Sequence, residues 1–114
     1  MILINVNMKD TMVIIDNGHG VDTPGKRSPD GEIQEWAYTR RVAKAVYDTL
    51  KSKGYDAYLL VPGDEDVKLS QRTKLANELY DQSGKDAVLV SIHLNASGSD
   101  GQWHTGSGWA AYVS

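Results

Sequence analysis

The stretch TMVIIDNGHG, residues 11–20, decides how this chain folds. Its apolar run MVII is rich in β-branched residues and has polar neighbours, which predicts a strand buried on both faces of a parallel sheet. Residues 16–20 are typical turn residues and end the strand abruptly. Glycine on both sides of His19 should let the backbone turn sharply and leave the imidazole reachable from solvent. His19 is therefore a candidate metal ligand or acid–base group, and an ordinary turn histidine is the alternative.

Two more strands and two helices are predicted downstream. Apolar residues recur about every 3.6 positions through residues 32–54, and Gly54 stands where a helix of this kind ends. YDAYLLV, residues 55–61, predicts the second strand. A second helix, capped by Ser70 or the residue before it, should bury an inner face made of Leu75, Ala76, Leu79 and Tyr80. AVLVSIHLN, residues 87–95, predicts the third strand.

This order of elements predicts the fold class. Strand, helix, strand, helix, strand requires right-handed crossovers and a parallel sheet with helices on its faces, so the chain is α/β with three layers. In such sheets the functional site lies beyond the carboxyl ends of the strands. His19 follows the first strand and His93 ends the third, so two histidines far apart in sequence should converge at one edge.

Glu35 is the candidate for a third ligand, because it stands in the first turn of the first helix. Two imidazoles and one carboxylate leave one position of a tetrahedral Zn²⁺ open for water, which is typical of a catalytic site. The alternatives are structural. Glu35, like Glu32, could stabilise the helix N-terminus through the helix dipole, and His93 could be a half-buried strand residue satisfied by backbone.

Composition narrows the class of protein. The 114 residues fit one domain and contain no cysteine. The net charge of −3 gives no indication of the basic surface that nucleic-acid binding usually requires. No export signal is recognisable and no apolar run is long enough to cross a bilayer, so synthesis in the cytoplasm and no membrane partner are expected. The basic residues are scattered among acids and are interpreted as solvated faces: Lys26, Arg27, Arg40, Arg41, Lys44, Lys51 and Lys53.

Several motifs resemble those of the zinc-dependent N-acetylmuramoyl-L-alanine amidases of the family 3 type. They are IIDNGHG with His19, Glu35 at the opening of a helix, and SIHLNA with His93; LSQRTKLAN and GWAAYVS resemble further segments of the family. The resemblance implies a mostly parallel, three-layer, phosphorylase/hydrolase-like catalytic domain that begins at residue 12. Residues 1–11 are then an extension and lead-in, and residues 12–114 are part of the domain.

The resemblance also implies a site and a reaction. His19, Glu35 and His93 would be the Zn²⁺ ligands, and Asn17, Arg72 and Asn95 would lie beside the ligands or the substrate. The reaction would be hydrolysis of the amide between N-acetylmuramic acid and L-alanine in peptidoglycan, with the bacterial cell wall as the place of action. The loop-rich sequence and the lack of an export signal resemble phage or prophage lytic enzymes.

One departure from the family concerns catalysis. The family has a general-base glutamate in a strand near its C-terminal end, which is expected beyond Ser114 together with the last strand and helices. Asp100 lies in a Gly/Ser loop and no glutamate follows Glu78, so the catalytic base is unknown. The alternative function is therefore a catalytically silent module that binds zinc or cell wall, or serves in interactions. GWAAYVS should form an exposed edge strand that favours self-association.

Other conspicuous residues have plainer interpretations. His104 is expected to be a flexible surface histidine, and Trp103 and Trp109 are expected to anchor a loop or pack in the core rather than stack on sugars. A flavodoxin-like domain in which Asp16 and Asp64 hold Mg²⁺ is a remoter alternative. It fits the strand order but leaves the two histidines unexplained.

Overall fold

Three parallel strands and two helices form the ordered body of the chain in the computed structural model, which describes residues 8–95 and 100–114. A single 3₁₀ turn, Met8–Asp10, leads into β1, Thr11–Asn17. Helix α1, Glu35–Ser52, connects β1 to β2, Asp56–Leu59, and helix α2, Leu69–Ser83, connects β2 to β3, Asp86–Ile92. The predicted α/β class and element order are confirmed.

Strand β1 is the centre of the sheet. The strand order is β2-β1-β3, and both neighbours run parallel to β1. All seven residues of β1 are buried, as its continuous apolar run predicts for a strand covered on both faces. The carboxyl ends of β1 and β3 therefore lie side by side, which brings the segments that follow them to one edge of the sheet.

The side chains on the two faces of β1 belong to two separate hydrophobic clusters. Met12 and Ile14 pack with Leu60 and Val61, and Ala76 and Leu79 of α2 cover that side. Val13 and Ile15 point to the opposite face, where Ala43, Val46, Tyr47 and Leu50 of α1 cover them. This alternation follows from the two-residue period of a strand, and it produces the three layers that the sequence predicts.

Helix boundaries differ from the predicted ones because loop contacts compete for the chain. α1 begins at Glu35 rather than in the region of residue 32, since Gln34 forms a β-bridge with Arg27. Gly54 does follow the end of α1, with a positive φ of 80°. In α2 the N-cap residue is Lys68, with no side-chain cap, so the prediction of a Ser70 cap was wrong.

The inner face of α2 also differs from the prediction. Ala76 and Leu79 face the core, but Leu75 and Tyr80 are exposed, and the buried residue of the helix is Arg72. The helix is therefore rotated so that an arginine, not a wide apolar stripe, faces the end of β1. A buried charged residue in the first turn of a helix is a feature that apolar periodicity does not detect.

The predicted C-terminal edge strand was wrong for the described residues. Residues 108–114, the segment GWAAYVS, form no strand, and they are exposed throughout. The sheet edge on that side is β3 itself, where Val88, Leu89 and Val90 remain 41–51% exposed. A segment becomes a strand only when its backbone hydrogen-bonds to a neighbouring strand, and no described residue pairs with residues 108–114.

Two further predictions concern the ends of the chain and membranes. Residues 1–7 of the predicted N-terminal extension lie outside the described residues, and the proposed boundary at residue 12 stays a prediction. Within residues 8–95 and 100–114, neither helix combines the length and the apolar character that crossing a bilayer requires.

Candidate metal centre

His19 occupies the turn that follows β1 and has a left-handed backbone, with φ of 61°. The preceding residue ties this turn to the neighbouring strand, because the Gly18 N–H donates to the Ile92 carbonyl at 2.9 Å. A non-glycine residue with positive φ is uncommon and marks a backbone that the surrounding structure holds in place. The end of β1 therefore carries a histidine in a constrained conformation, directly beside the end of β3.

The glycines that flank His19 are needed for close packing. Neither has a positive φ, so the prediction that they supply the sharp turn was wrong; His19 itself supplies it. A Cβ on Gly18 would clash with the ring of His93, and a Cβ on Gly20 would clash with the backbone of Asp66. The two glycines allow His93 on one side and the loop that contains Asp66 on the other to approach the turn.

Glu35 joins the two histidines. It is the first residue of α1, is only 7% exposed, and accepts a hydrogen bond from the Leu94 N–H at 2.9 Å. Its Oε2 lies 3.4 Å from His19 Nε2, and its Oε1 lies 3.3 Å from His93 Nδ1. The two imidazole rings meet edge to face, with centroids 5.1 Å apart. Three elements thus bring three donor groups to one point, as the strand order predicts.

The spacing of these donors fits a tetrahedral ion. One donor atom from each of His19, Glu35 and His93 lies within 4.8 Å of the others. Zinc–ligand bonds of about 2.0–2.1 Å imply donor–donor distances of about 3.3–3.4 Å in a tetrahedron. The two histidine–carboxylate distances are close to that value, but they end on different oxygens of Glu35, so a metal held by one of these oxygens requires the other histidine to approach it. Donor atoms this close together form a candidate site for a divalent metal ion.

Electrostatics favours the ligand form of His19. Partial burial lowers the pKa of His19, and the neighbouring His93 acts in the same direction, while the carboxylate of Glu35 opposes both. A lowered pKa favours the neutral imidazole, whose free lone pair is what a metal binds.

A buried arginine fixes the backbone of this turn from behind. Arg72 donates from Nη1 to Asp16 Oδ1 at 2.6 Å and to the Asn17 carbonyl at 2.7 Å. Its Nη2 reaches the His19 carbonyl at 3.3 Å and Asp66 Oδ1 at 3.1 Å. One guanidinium therefore bonds three residues, Asp16, Asn17 and His19, at the end of β1 and in the turn that follows, so Arg72 lies behind the site and contacts the backbone of His19.

Sequence analysis missed several other residues that bond the end of β1 and the turn around His19. Together with Arg72 they form the frame of the site. Ser91 on β3 donates to Asp16 Oδ2 at 2.8 Å, and Thr39, which is fully buried in α1, donates to the Gly18 carbonyl at 2.9 Å. Arg40 bonds the carbonyls of Gly18, Gly63 and Glu65, so its interpretation as a solvated residue was wrong. The available signal was position: Thr39 and Arg40 lie one helical turn beyond Glu35.

The remaining predicted site residues differ in their surroundings. Asn17 is buried and donates from Nδ2 to the Val61 carbonyl at 3.2 Å, so it joins the end of β1 to the segment after β2. Asn95 is exposed and lies in the wall of the cleft beside His93. Asp16 is engaged by Arg72 and Ser91, which leaves the alternative of a Mg²⁺ site at Asp16 and Asp64 without support.

The three donors open into a cleft of about 860 Å³. One wall is the loop between β1 and α1, with Lys26, Arg27 and Ile33, and the other is the segment of residues 101–106. His104 lies in the second wall, and its Nε2 is 2.9 Å from Asp100 Oδ1. It is therefore a partnered cleft residue rather than a free surface histidine.

The two C-terminal tryptophans are on the surface. Trp103 lines the cleft and is largely exposed, while Trp109 is 89% exposed. The expectation that they anchor a loop or pack in the core was wrong, because no described element covers this part of the chain.

Comparison with known proteins identifies the relatives of this architecture. A family model described as N-acetylmuramoyl-L-alanine amidase matches residues 13–114. Over 100 residues the chain is 29% identical to the N-acetylmuramoyl-L-alanine amidase AmiC of Neisseria meningitidis, and this match covers 88% of the chain and 23% of the relative.

Solved structures show the same fold. The catalytic domain of CwlV, an N-acetylmuramoyl-L-alanine amidase from Paenibacillus polymyxa, superposes with a TM-score of 0.67 at 32% identity, over 78% of this chain and 48% of that one. An N-acetylmuramoyl-L-alanine amidase of Clostridium difficile 630 gives 0.65 at 33% identity, over 78% and 46%. The matches thus extend over about half of each solved structure and about a quarter of the curated relative.

Proposed function

This chain belongs to the N-acetylmuramoyl-L-alanine amidase family, and from that membership we propose that it is the metal-binding part of a zinc-dependent peptidoglycan amidase. The proposed reaction is hydrolysis of the amide between N-acetylmuramic acid and L-alanine, and the proposed place of action is the bacterial cell wall. The observation that carries the proposal is the convergence of His19, Glu35 and His93 from three separate elements.

In the proposed site, these three residues hold the metal. A Zn²⁺ ion there would polarise the scissile carbonyl and lower the pKa of the attacking water toward about 7. Glu35 also accepts the Leu94 N–H, which fixes its carboxylate between the two histidines. Second contacts of this kind orient metal ligands and support their affinity.

The frame of the site holds the backbone of the turn that carries His19. Arg72 bonds the His19 carbonyl, and Thr39 and Arg40 bond the Gly18 carbonyl, which supports a role for these residues in holding the backbone of the proposed ligand His19. The cleft between residues 26–33 and 101–106 is open to solvent and is the proposed route for the glycan and its peptide. Arg72 and Asn17 are proposed as residues behind the ligands, and Asn95 as a residue beside the substrate.

A specific observation supports the alternative of a site without turnover. Among the described residues that line the cleft, Glu35 is the single carboxylate, and both of its oxygens already face the histidines. A positioned general base contributes about 10²- to 10⁴-fold to hydrolysis. Without such a base, the same three residues would bind zinc and wall fragments but release little peptide.

The two functions are separated by measuring zinc content and peptide release together. The wild-type chain should bind about one zinc per chain, His93→Ala should lose it because a ligand is removed, and His104→Ala should keep it. Release of stem peptide from purified peptidoglycan would establish the amidase, whereas zinc without release would favour the silent module. A wild-type chain that binds no zinc would contradict the assignment of all three ligands.

A further inference from the structure

The cleft is positively charged although the whole chain carries a net charge of −3. Lys26 and Arg27 lie together in its wall, beside His19, and the only described carboxylate in the lining is Glu35. Because both oxygens of Glu35 face imidazoles, no acid in the described lining is placed to neutralise these two cations. A cleft of one sign concentrates ligands of the opposite sign.

Lys26 and Arg27 differ from most other cations of the chain. Within residues 8–95 and 100–114, neither forms a salt bridge or a side-chain hydrogen bond. By contrast, Lys44 pairs with Asp48, Lys85 with Asp56, and Arg72 with Asp16. Two adjacent cations in a cleft wall with no protein partner are available to a ligand.

The backbone at these residues is held in place. Lys26 has a left-handed φ of 50°, and its carbonyl accepts the Glu35 N–H at 2.9 Å. Arg27 forms a bridge with Gln34, the residue just before α1. The left-handed conformation of Lys26 costs some free energy. It persists because it lets the Lys26 carbonyl accept the N–H of Glu35, the first residue of α1. The backbone from which the two cations extend is thus held in place relative to Glu35.

The chemistry of the proposed substrate indicates which group they meet. In N-acetylmuramoyl-L-alanine the carboxyl of muramic acid is consumed in the amide bond, and the acetylated sugar is neutral. Negative charge on that substrate therefore lies on the peptide. Resting on the proposed function, we propose that Lys26 and Arg27 form a subsite that binds a carboxylate of the stem peptide, on the leaving-group side of the scissile amide.

The test compares the binding of two matched probes, N-acetylmuramoyl-L-alanyl-D-glutamate and its diamide. NMR titration at low ionic strength measures the dissociation constant of each probe. Each titration is made with zinc and with a chelator, because a carboxylate bound to the metal loses its advantage when the metal is removed. The wild type should prefer the free acid by roughly fivefold in both conditions, as two exposed ion pairs allow. The Lys26→Asn/Arg27→Gln variant should lose that preference.

The substitutions are chosen to leave the fold intact. Asn tolerates the left-handed conformation of residue 26, and Arg27 is exposed. Lys51→Gln, at an exposed lysine in the last turn of α1, is the matched control and should bind like the wild type. Arg27→Glu should lose the preference for the free acid, because the new carboxylate offsets the charge of Lys26, and it tests the subsite even where the double variant is unstable.

The outcomes separate this subsite from the proposed reaction. Equal binding of both probes by the wild type, a preference that vanishes with chelator, or an unchanged preference in the double variant would overturn the subsite even where zinc binds and peptide is released. Failure to bind either probe would also overturn it. A preference that depends on Lys26 and Arg27 in a chain that neither binds zinc nor releases peptide would support the subsite and contradict the proposed function.

Discussion

The two histidines of the candidate centre follow neighbouring parallel strands, but their surroundings are opposite. His19 follows β1, whose seven residues are buried, and three side chains from two helices bond the backbone of its turn. His93 follows β3, which is mostly exposed, and its own side chain is 46% exposed. The comparison shows that one half of the site is built into the core, while the other half relies on the first for its position.

The contacts of His93 support this interpretation. Its ring rests against Gly18, and its Nδ1 faces Glu35 Oε1. The backbone on either side is tied to the same two residues, through the bonds from Gly18 N to the Ile92 carbonyl and from Leu94 N to Glu35. Changes in the frame around His19 should therefore affect the whole site, while changes on the exposed face of β3 should not.

The largest effect is expected from Arg72→Ala. Removing this guanidinium leaves Asp16 buried with only Ser91 as a partner, and it leaves the carbonyls of Asn17 and His19 without their donor. Breaking a buried ion pair in this way costs about 3–5 kcal/mol. Urea denaturation should show the midpoint falling by the corresponding amount, with the slope unchanged.

Lys74→Ala is the matched control on the same helix, since Lys74 is exposed and its pair with Glu78 lies on the surface. Its effect should stay below about 0.5 kcal/mol. A loss of less than about 1 kcal/mol in Arg72→Ala would contradict the distinction between a core half and an exposed half.

A smaller effect, concentrated at the metal, is expected from Gly18→Ala. The new methyl group would push the His93 ring away from Glu35, so zinc affinity should fall roughly 10- to 100-fold, as when the contacts that orient a ligand are lost. Competition with a chromophoric chelator measures this affinity. Gly63→Ala, where a methyl group meets nothing within 4 Å, should bind zinc like the wild type; equal losses in both variants would show that the contact between Gly18 and His93 is unimportant.

The smallest effect on folding is expected at the exposed edge. Leu89→Lys replaces a side chain that is 51% exposed, so the free energy of unfolding should change by less than about 0.5 kcal/mol. We propose that β3 supports self-association in place of the predicted C-terminal strand, because an uncovered apolar edge strand favours pairing and a lysine there opposes it.

Light scattering during gel filtration tests that proposal. The wild type should show a concentration-dependent rise in mass that Leu89→Lys abolishes. Leu75→Lys changes an exposed leucine on α2, away from the sheet edge, and should leave the association unchanged. A wild type that stays monomeric at all concentrations would contradict the proposal.

The apolar periodicity of the sequence was sufficient to predict the three layers of this molecule. The apolar run of β1 predicted a strand buried on both faces, and the order of elements predicted a parallel sheet whose carboxyl ends gather His19 and His93. Helix ends were less predictable. Ser70 is a good capping residue by type, yet Lys68 is the N-cap, and its carbonyl accepts the Gln71 and Arg72 N–H groups.

The sequence by itself determined the order of the elements along the chain and the parallel direction of the strands, and it indicated the three residues that meet at their ends. These features follow from local chemistry: alternating burial, helical period and turn residues act over a few neighbours. The tertiary structure alone decided that Arg40 is a structural cation rather than a solvated one, which backbone carbonyls Arg72 bonds, and that Gly18 makes room for His93. Those roles depend on contacts between residues more than 20 positions apart, and no short-range pattern in the chain carries that information.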